Sequence, residues 1–128
     1  MDFKQYITGI RHLGLPTLDM EATLAFYHGL GFRNAYETVN GGDRVVFLRL
    51  GNLTVETYES RDTVRSAGAI AHVALNVTDI EAMWKLAEEA GLQKIDEEIR
   101  FLPFWEKGTR FFNVLGPNGE TIEFSQIL

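Results

Sequence analysis

The sequence predicts an α+β fold in which one unit is used twice. Three observations predict it: a gapless self-similarity at a spacing of sixty residues, one amphipathic helical stretch in each half, and three β-rich runs after each helix. The segment "ITGIRHLGLPTLDMEATLAFYHGLGF" (7–32) lies over "AGAIAHVALNVTDIEAMWKLAEEAGL" (67–92) without insertion. Seven of the 23 positions from Ile10 to Phe32 are identical in the second copy, among them His12 with His72, Asp19 with Asp79, Glu21 with Glu81 and Gly31 with Gly91.

Each copy opens with a short apolar strand that carries the histidine, ending near Pro16 in the first copy. The first helix is expected to open at Asp19, a good N-cap residue. The second is expected to open at "TDIE", where Thr78 and Glu81 have the spacing of a capping box. Met20, Leu24, Tyr27 and Leu30, and likewise Ile80, Trp84, Ala87 and Ala90, form one apolar face per helix, so they are read as core. Gly31 and Gly91 follow the helices as C-terminal stops. The first copy then continues "FRNAYETV", the turn "NGGD", "RVVFLRL", the turn "GN" and "LTVETYE". The second continues "QKIDEEI", an aromatic connection "RFLPFWEKG", "TRFFNVL", the turn "GPNG" and "ETIEFSQIL". The whole chain, 1–128, is thus expected to be one domain, with module one at about 6–59, a polar linker at about 60–68 and module two at about 69–127.

Composition narrows the function. At 128 residues, 45% of them hydrophobic, the chain has enough apolar surface for a core. A formal charge of −6 with no Lys/Arg cluster argues against nucleic acid as a partner. No apolar run has the length of a membrane span, and "MDFKQYITG" lacks the layout of a secretory signal, so a cytoplasmic location is expected. With no cysteine there is neither a disulfide nor a thiolate ligand, and any metal must be held by imidazole and carboxylate.

Strand parity picks out four such residues. Alternate side chains share a face, so His12 lies with Ile10 and Gly14, and His72 with Ile70 and Ala74. The small residue two places on leaves room beside each ring. In the last strand of each copy, Thr54, Glu56 and Tyr58 share one face and Thr121, Glu123 and Ser125 share another, each opposite an apolar face. A lone strand Glu or His has a bland explanation as a solvated or packed residue. A His and a Glu at matched places in two repeats make a His2Glu2 set, which suits a divalent ion that keeps positions for water or substrate.

This pattern resembles the vicinal oxygen chelate superfamily, which includes glyoxalase I, extradiol dioxygenases, methylmalonyl-CoA epimerase and fosfomycin resistance proteins. The resemblance runs from "IRHLGLPTLDMEATLAFYHGLGF" to "GTRFFNVLGPNGETIEFSQ". It implies two βαβββ modules whose mixed sheets curl into a cup around one metal, and a homodimer with two sites shared between chains. It is most similar to glyoxalase I in offering His12, Glu56, His72 and Glu123 as ligands, with Ni, Zn, Co, Mn or Fe as the metal. The implied activity is a lyase or isomerase of the lactoylglutathione lyase type. It would act on a small α-hydroxycarbonyl or hemithioacetal substrate through an enediolate, with Glu123 or Glu56 as the base.

Two alternatives stay open: an extradiol-type dioxygenase in which Glu56 is not a ligand, and a metal-free small-molecule binding or resistance protein that needs no His/Glu quartet. Leu15 stands where glutathione-using members carry an Arg, so the thiol partner is open as well. Arg44, Lys107 and Arg110 are the cations nearest the expected cup, and Arg110 is the candidate for substrate binding, although it shares a strand face with Phe112. Phe104 and Trp105, with Phe101, are candidates for a pocket wall or a dimer contact. His28 reads as a solvated residue at a helix end.

Overall fold

The computed structural model describes residues 3–128; Met1 and Asp2, which open the N-terminal stretch and the expected domain, lie outside the described residues. The chain divides into two compact units, one running up to Thr63 and the other Val64–Leu128, and each is described by itself.

The first unit follows a 3-10 turn at Phe3–Gln5 with strand β1 (Leu13–Thr17), helix α1 (Met20–Gly29) and strands β2 (Arg33–Asn40), β3 (Asp43–Leu50) and β4 (Leu53–Glu59). Two short turns make β2–β3–β4 an antiparallel meander, and β1 adds to β4 in parallel, giving the sheet order β1-β4-β3-β2. Asp19 caps α1 as expected, its carboxylate accepting from the Ala22 amide at 3.0 Å. At the other end Gly31 takes φ +105°; its amide donates to the His28 carbonyl and the Phe32 amide donates to that of Tyr27. That is a Schellman closure, which needs a residue without Cβ strain at this place. Met20, Leu24 and Tyr27 are buried against Val46, Leu48 and Val55, so the helix covers one face of the sheet and leaves the other open. Leu30 is half-buried rather than core.

The second unit repeats the plan as β5 (Val73–Asn76), α2 (Ile80–Glu89), β6 (Gln93–Lys94), β7 (Arg100–Leu102), β8 (Thr109–Leu115) and β9 (Thr121–Ile127). Parallel β5 lies beside β9, and β6 and β7 both pair with β8, end to end along its other edge. The expected strand over "QKIDEEI" is therefore cut short to Gln93–Lys94, and part of the aromatic connection is a strand. The cause is Asp96, whose carboxylate accepts both the backbone amide and the Nδ2 of Asn113, at 2.8 and 2.9 Å. A side chain thereby takes the place of a ladder carbonyl, and the main chain leaves the sheet until Arg100. The α2 cap also differs from expectation by one residue. Asp79, not Thr78, accepts from the Ala82 amide, matching Asp19 in the first unit. Ile80 and Ala87 are buried with Phe112, Val114, Ile122 and Phe124, whereas Trp84 packs edge-on to Phe112 at 4.9 Å and Ala90 is exposed.

One polar device recurs in both units. Arg44 on β3 pairs with Glu21 of α1 at 2.6 Å, and Arg110 on β8 pairs with Glu81 of α2 at 3.1 Å, tying each helix to its sheet. No described helix is long and apolar enough to cross a membrane.

Candidate metal centre

Glu56 sits at the middle of β4, with Gly14 of β1 on one side and Phe47 of β3 on the other. Because β1 and β4 are parallel, the residue just before β1 is delivered to the same open face, and His12 Nε2 lies 3.5 Å from Glu56 Oε1. The second unit repeats the construction: Glu123 on β9 lies between Ala74 and Asn113, and His72 Nε2 is 3.7 Å from Glu123 Oε1. All four side chains are partly covered, at 31% and 28% exposure in the first pair and 48% and 19% in the second, so both pairs remain reachable.

These separations bear on whether the donors fit a metal ion. With metal–nitrogen and metal–oxygen bonds of about 2.1 Å, two ligands at right-angle to tetrahedral geometry stand roughly 3.0–3.4 Å apart. The observed 3.5 and 3.7 Å are within a few tenths of an ångström of that span. A neutral imidazole with a carboxylate is also a donor set that borderline divalent ions accept. Each unit thus supplies a two-ligand group. Among the described residues no set of three or more His, Asp or Glu side chains converges on one point, so within a unit the pair stands without a third ligand.

Around the first pair the face is aromatic. The Phe47 ring meets His12 edge-on at 5.7 Å, and Tyr36 leans on Phe47 at 6.0 Å. Beside Glu56 a cleft of about 240 Å³ opens, lined by Asn40, Asp43, Val45, Glu56, Tyr58 and Glu59. Tyr58 is on this face, as strand parity predicts, and Phe47, not among the expected residues, joins it. The signal was present: a two-residue turn pairs Leu50 with Leu53, and counting outward sets Phe47 opposite Glu56.

The remaining candidates are placed elsewhere. Arg110 is on the helix-covered face of β8 with Phe112, bonded to Glu81, whereas Asn113 is the β8 residue beside Glu123. Arg110 and Asn113, three apart on the strand, therefore face opposite ways, and Arg110 lies on the helix side. Arg44 likewise turns to the helix side; hydrogen bonds to Glu37 and then Glu21 raise its pKa further and use its charge locally. Phe104 and Trp105 lie in the connection between β7 and β8, Trp105 at 75% exposure and φ +62°, and Lys107 is exposed in the same connection. His28 bonds Asn34 Oδ1 at 2.8 Å on the surface.

The pattern of the Glyoxalase/Bleomycin resistance protein/Dioxygenase superfamily matches residues 9–124, a span that contains all four candidate ligands. The chain belongs to this superfamily. Its members include many enzymes. Within the superfamily's reach, a curated relative is 34% identical over 126 residues, covering 91% of this chain and 96% of its own: the uncharacterised protein YwbC of Bacillus subtilis (strain 168). Among solved structures, a glyoxalase family protein from Enterococcus faecalis is similar with a TM-score of 0.77 and 23% identity, over 94% of this chain and 98% of that one. The fosfomycin resistance protein FosX from Listeria monocytogenes, solved with Mn(II) and sulfate, is similar with a TM-score of 0.75 and 15% identity, over 95% and 94%. These two likenesses establish a shared fold.

Proposed function

We propose that this chain is a metal-dependent lyase or isomerase of the glyoxalase type, acting on a small α-hydroxycarbonyl or hemithioacetal substrate. One observation carries the reading: the same His–Glu pair, at the same place in the strand order and at chelating separation, occurs in both units. A scaffold that needed only packing at these positions would have no reason to repeat two polar residues whose separation suits a metal and exceeds a good hydrogen bond. The superfamily's inclusion of a Mn(II)-bound member supports a divalent ion as cofactor.

His12, Glu56, His72 and Glu123 are the residues that would hold the ion. When bound, it would supply Lewis acidity toward a substrate oxygen and lower the acidity barrier of the adjacent carbon. The chain's own chemistry is proton transfer. A glutamate carboxylate takes the proton from the hydroxyl-bearing carbon and returns it to the former carbonyl carbon, while the hydroxyl proton passes to the former carbonyl oxygen, so that the net change is isomerisation. Glu123 is the favoured base, and Glu56 is the alternative base for the other face of the substrate. Arg110, tied to Glu81, has no part in this scheme. We also propose that the active form is a homodimer and that it works in the cytoplasm.

The test is a reconstitution panel with Ni, Co, Mn, Zn and Fe, assayed against methylglyoxal hemithioacetals and catechols. Metal-dependent isomerisation of a hemithioacetal supports the reading. Oxygen consumption with a catechol on the iron form moves the chain to the dioxygenases, and failure of the wild type to bind any of the five metals leaves a small-molecule binding protein.

A further inference from the structure

We propose that Tyr58 is a third functional side chain beside His12 and Glu56, its phenol donating a hydrogen bond to an oxygen of the ligand bound there. The inference rests on the metal reading above and concerns how the same site recognises its ligand. Tyr58 follows Glu56 by two residues in β4, which puts both on the same face, about 7 Å apart along the strand. Both line the one cleft of about 240 Å³. The ring lies on the β1 side: Pro16 is its register partner, and a Cβ added at Gly14 would lie 3.8 Å from Tyr58 Cε1. The ring thus lies over Gly14, on the sheet face that also carries His12 and Glu56. The hydroxyl engages no protein group among the described residues. A half-buried tyrosine ordinarily finds a partner for its hydroxyl, and here the cleft is the place where one can arrive.

The repeat gives an internal comparison. Two residues beyond Glu123 the second unit has Ser125, on a strand with the same parallel neighbour and the same antiparallel partner. The architecture therefore does not require an aromatic residue at this place, and packing alone does not account for Tyr58.

The experiment uses the full chain loaded with Co(II), whose visible spectrum reports ligand exchange, as wild type and as Tyr58→Phe. Both are titrated with acetohydroxamate, which presents two adjacent oxygens, and with imidazole, which presents a nitrogen and no oxygen acceptor. Equal Co(II) affinity, equal imidazole affinity and acetohydroxamate binding weakened about tenfold or more by the loss of one charge-assisted hydrogen bond support the assignment. Acetohydroxamate affinity that is the same in both proteins, nil in both included, removes Tyr58 and leaves the metal reading standing. A parallel loss for both probes makes Tyr58 a packing residue. A wild type that binds no Co(II) overturns the metal reading and this inference together.

Discussion

Glu56 and Glu123 occupy equivalent strand centres, yet their neighbours differ. Glu56 lies beside Phe47 in the antiparallel ladder, with the Phe47 ring also against His12, whereas Glu123 lies beside the polar Asn113. An apolar neighbour limits hydration of a carboxylate, and a polar one leaves room for water or hydrogen bonds, so the two repeats need not divide ligation and proton transfer equally. If Glu123 is the base, Glu123→Gln retains an oxygen donor but loses the proton acceptor. The expected result is a fall in kcat of about 10²–10⁴-fold with metal affinity only partly reduced, measured on the reconstituted enzyme. Turnover that survives in Glu123→Gln and disappears in Glu56→Gln would assign the base to the first unit instead. Arg110 gives the opposite expectation: Arg110→Ala should leave catalytic constants unchanged and cost well under 1 kcal/mol, because its bond to Glu81 is a solvent-exposed ion pair.

At the scale of elements, the open face of each sheet exists because a capped helix closes the other. Asp19 and Asp79 perform the same capping bond at the same distance, 3.0 Å in each unit. Asp79→Ala should destabilise the chain by about 1 kcal/mol in urea unfolding, while Thr78→Ala, outside the capping bond, should cost much less. Gly119, in the turn before β9, carries a larger demand. It has φ +78°, and a Cβ there would collide with the Arg65 carbonyl oxygen and lie 2.8 Å from the Ser66 amide nitrogen. Backbone cannot retreat as a flexible side chain can, so Gly119→Ala should cost about 2–4 kcal/mol, and an unfolding midpoint equal to wild type would refute the contact. These elements also show what was legible beforehand. Hydrophobic period and turn residues located β2, β3, β4, β8, β9 and both helices, because each depends on local pattern. The Asp79 cap was readable from its match to Asp19, but the Thr78–Glu81 spacing competed with it. The division of β6 from β7 was not readable, since it depends on Asp96 reaching Asn113 seventeen residues away. The His–Glu pairing was visible only through the repeat. The helix-side placement of Arg110 agrees with the strand parity it shares with Phe112.

For the whole molecule, the four candidate ligands come as two pairs, and that arrangement makes the count of bound ions decisive. Two protein ligands alone hold a divalent ion weakly, whereas four on one ion multiply the advantage of having each ligand already in place. If the four act on one ion, the wild type binds one ion per chain, whether modules pair within a chain or between two. Removing either histidine then damages the same site: His12→Ala and His72→Ala should lose affinity to a similar extent, and the double variant should be little worse than either, because residues acting as a unit are not additive. Stability should follow. An ion at a hundred times its dissociation constant stabilises the folded chain by about 2.7 kcal/mol, and both single variants should lose most of the resulting rise in Tm. Independent pairs predict otherwise: two weak ions per chain, with one retained in each single variant and additive losses in the double. Elemental analysis after dialysis, run beside thermal melts with and without metal, separates the two outcomes. Half the wild-type metal remaining in His72→Ala would refute a shared four-ligand site, and the pairs would then have to be treated as two separate centres.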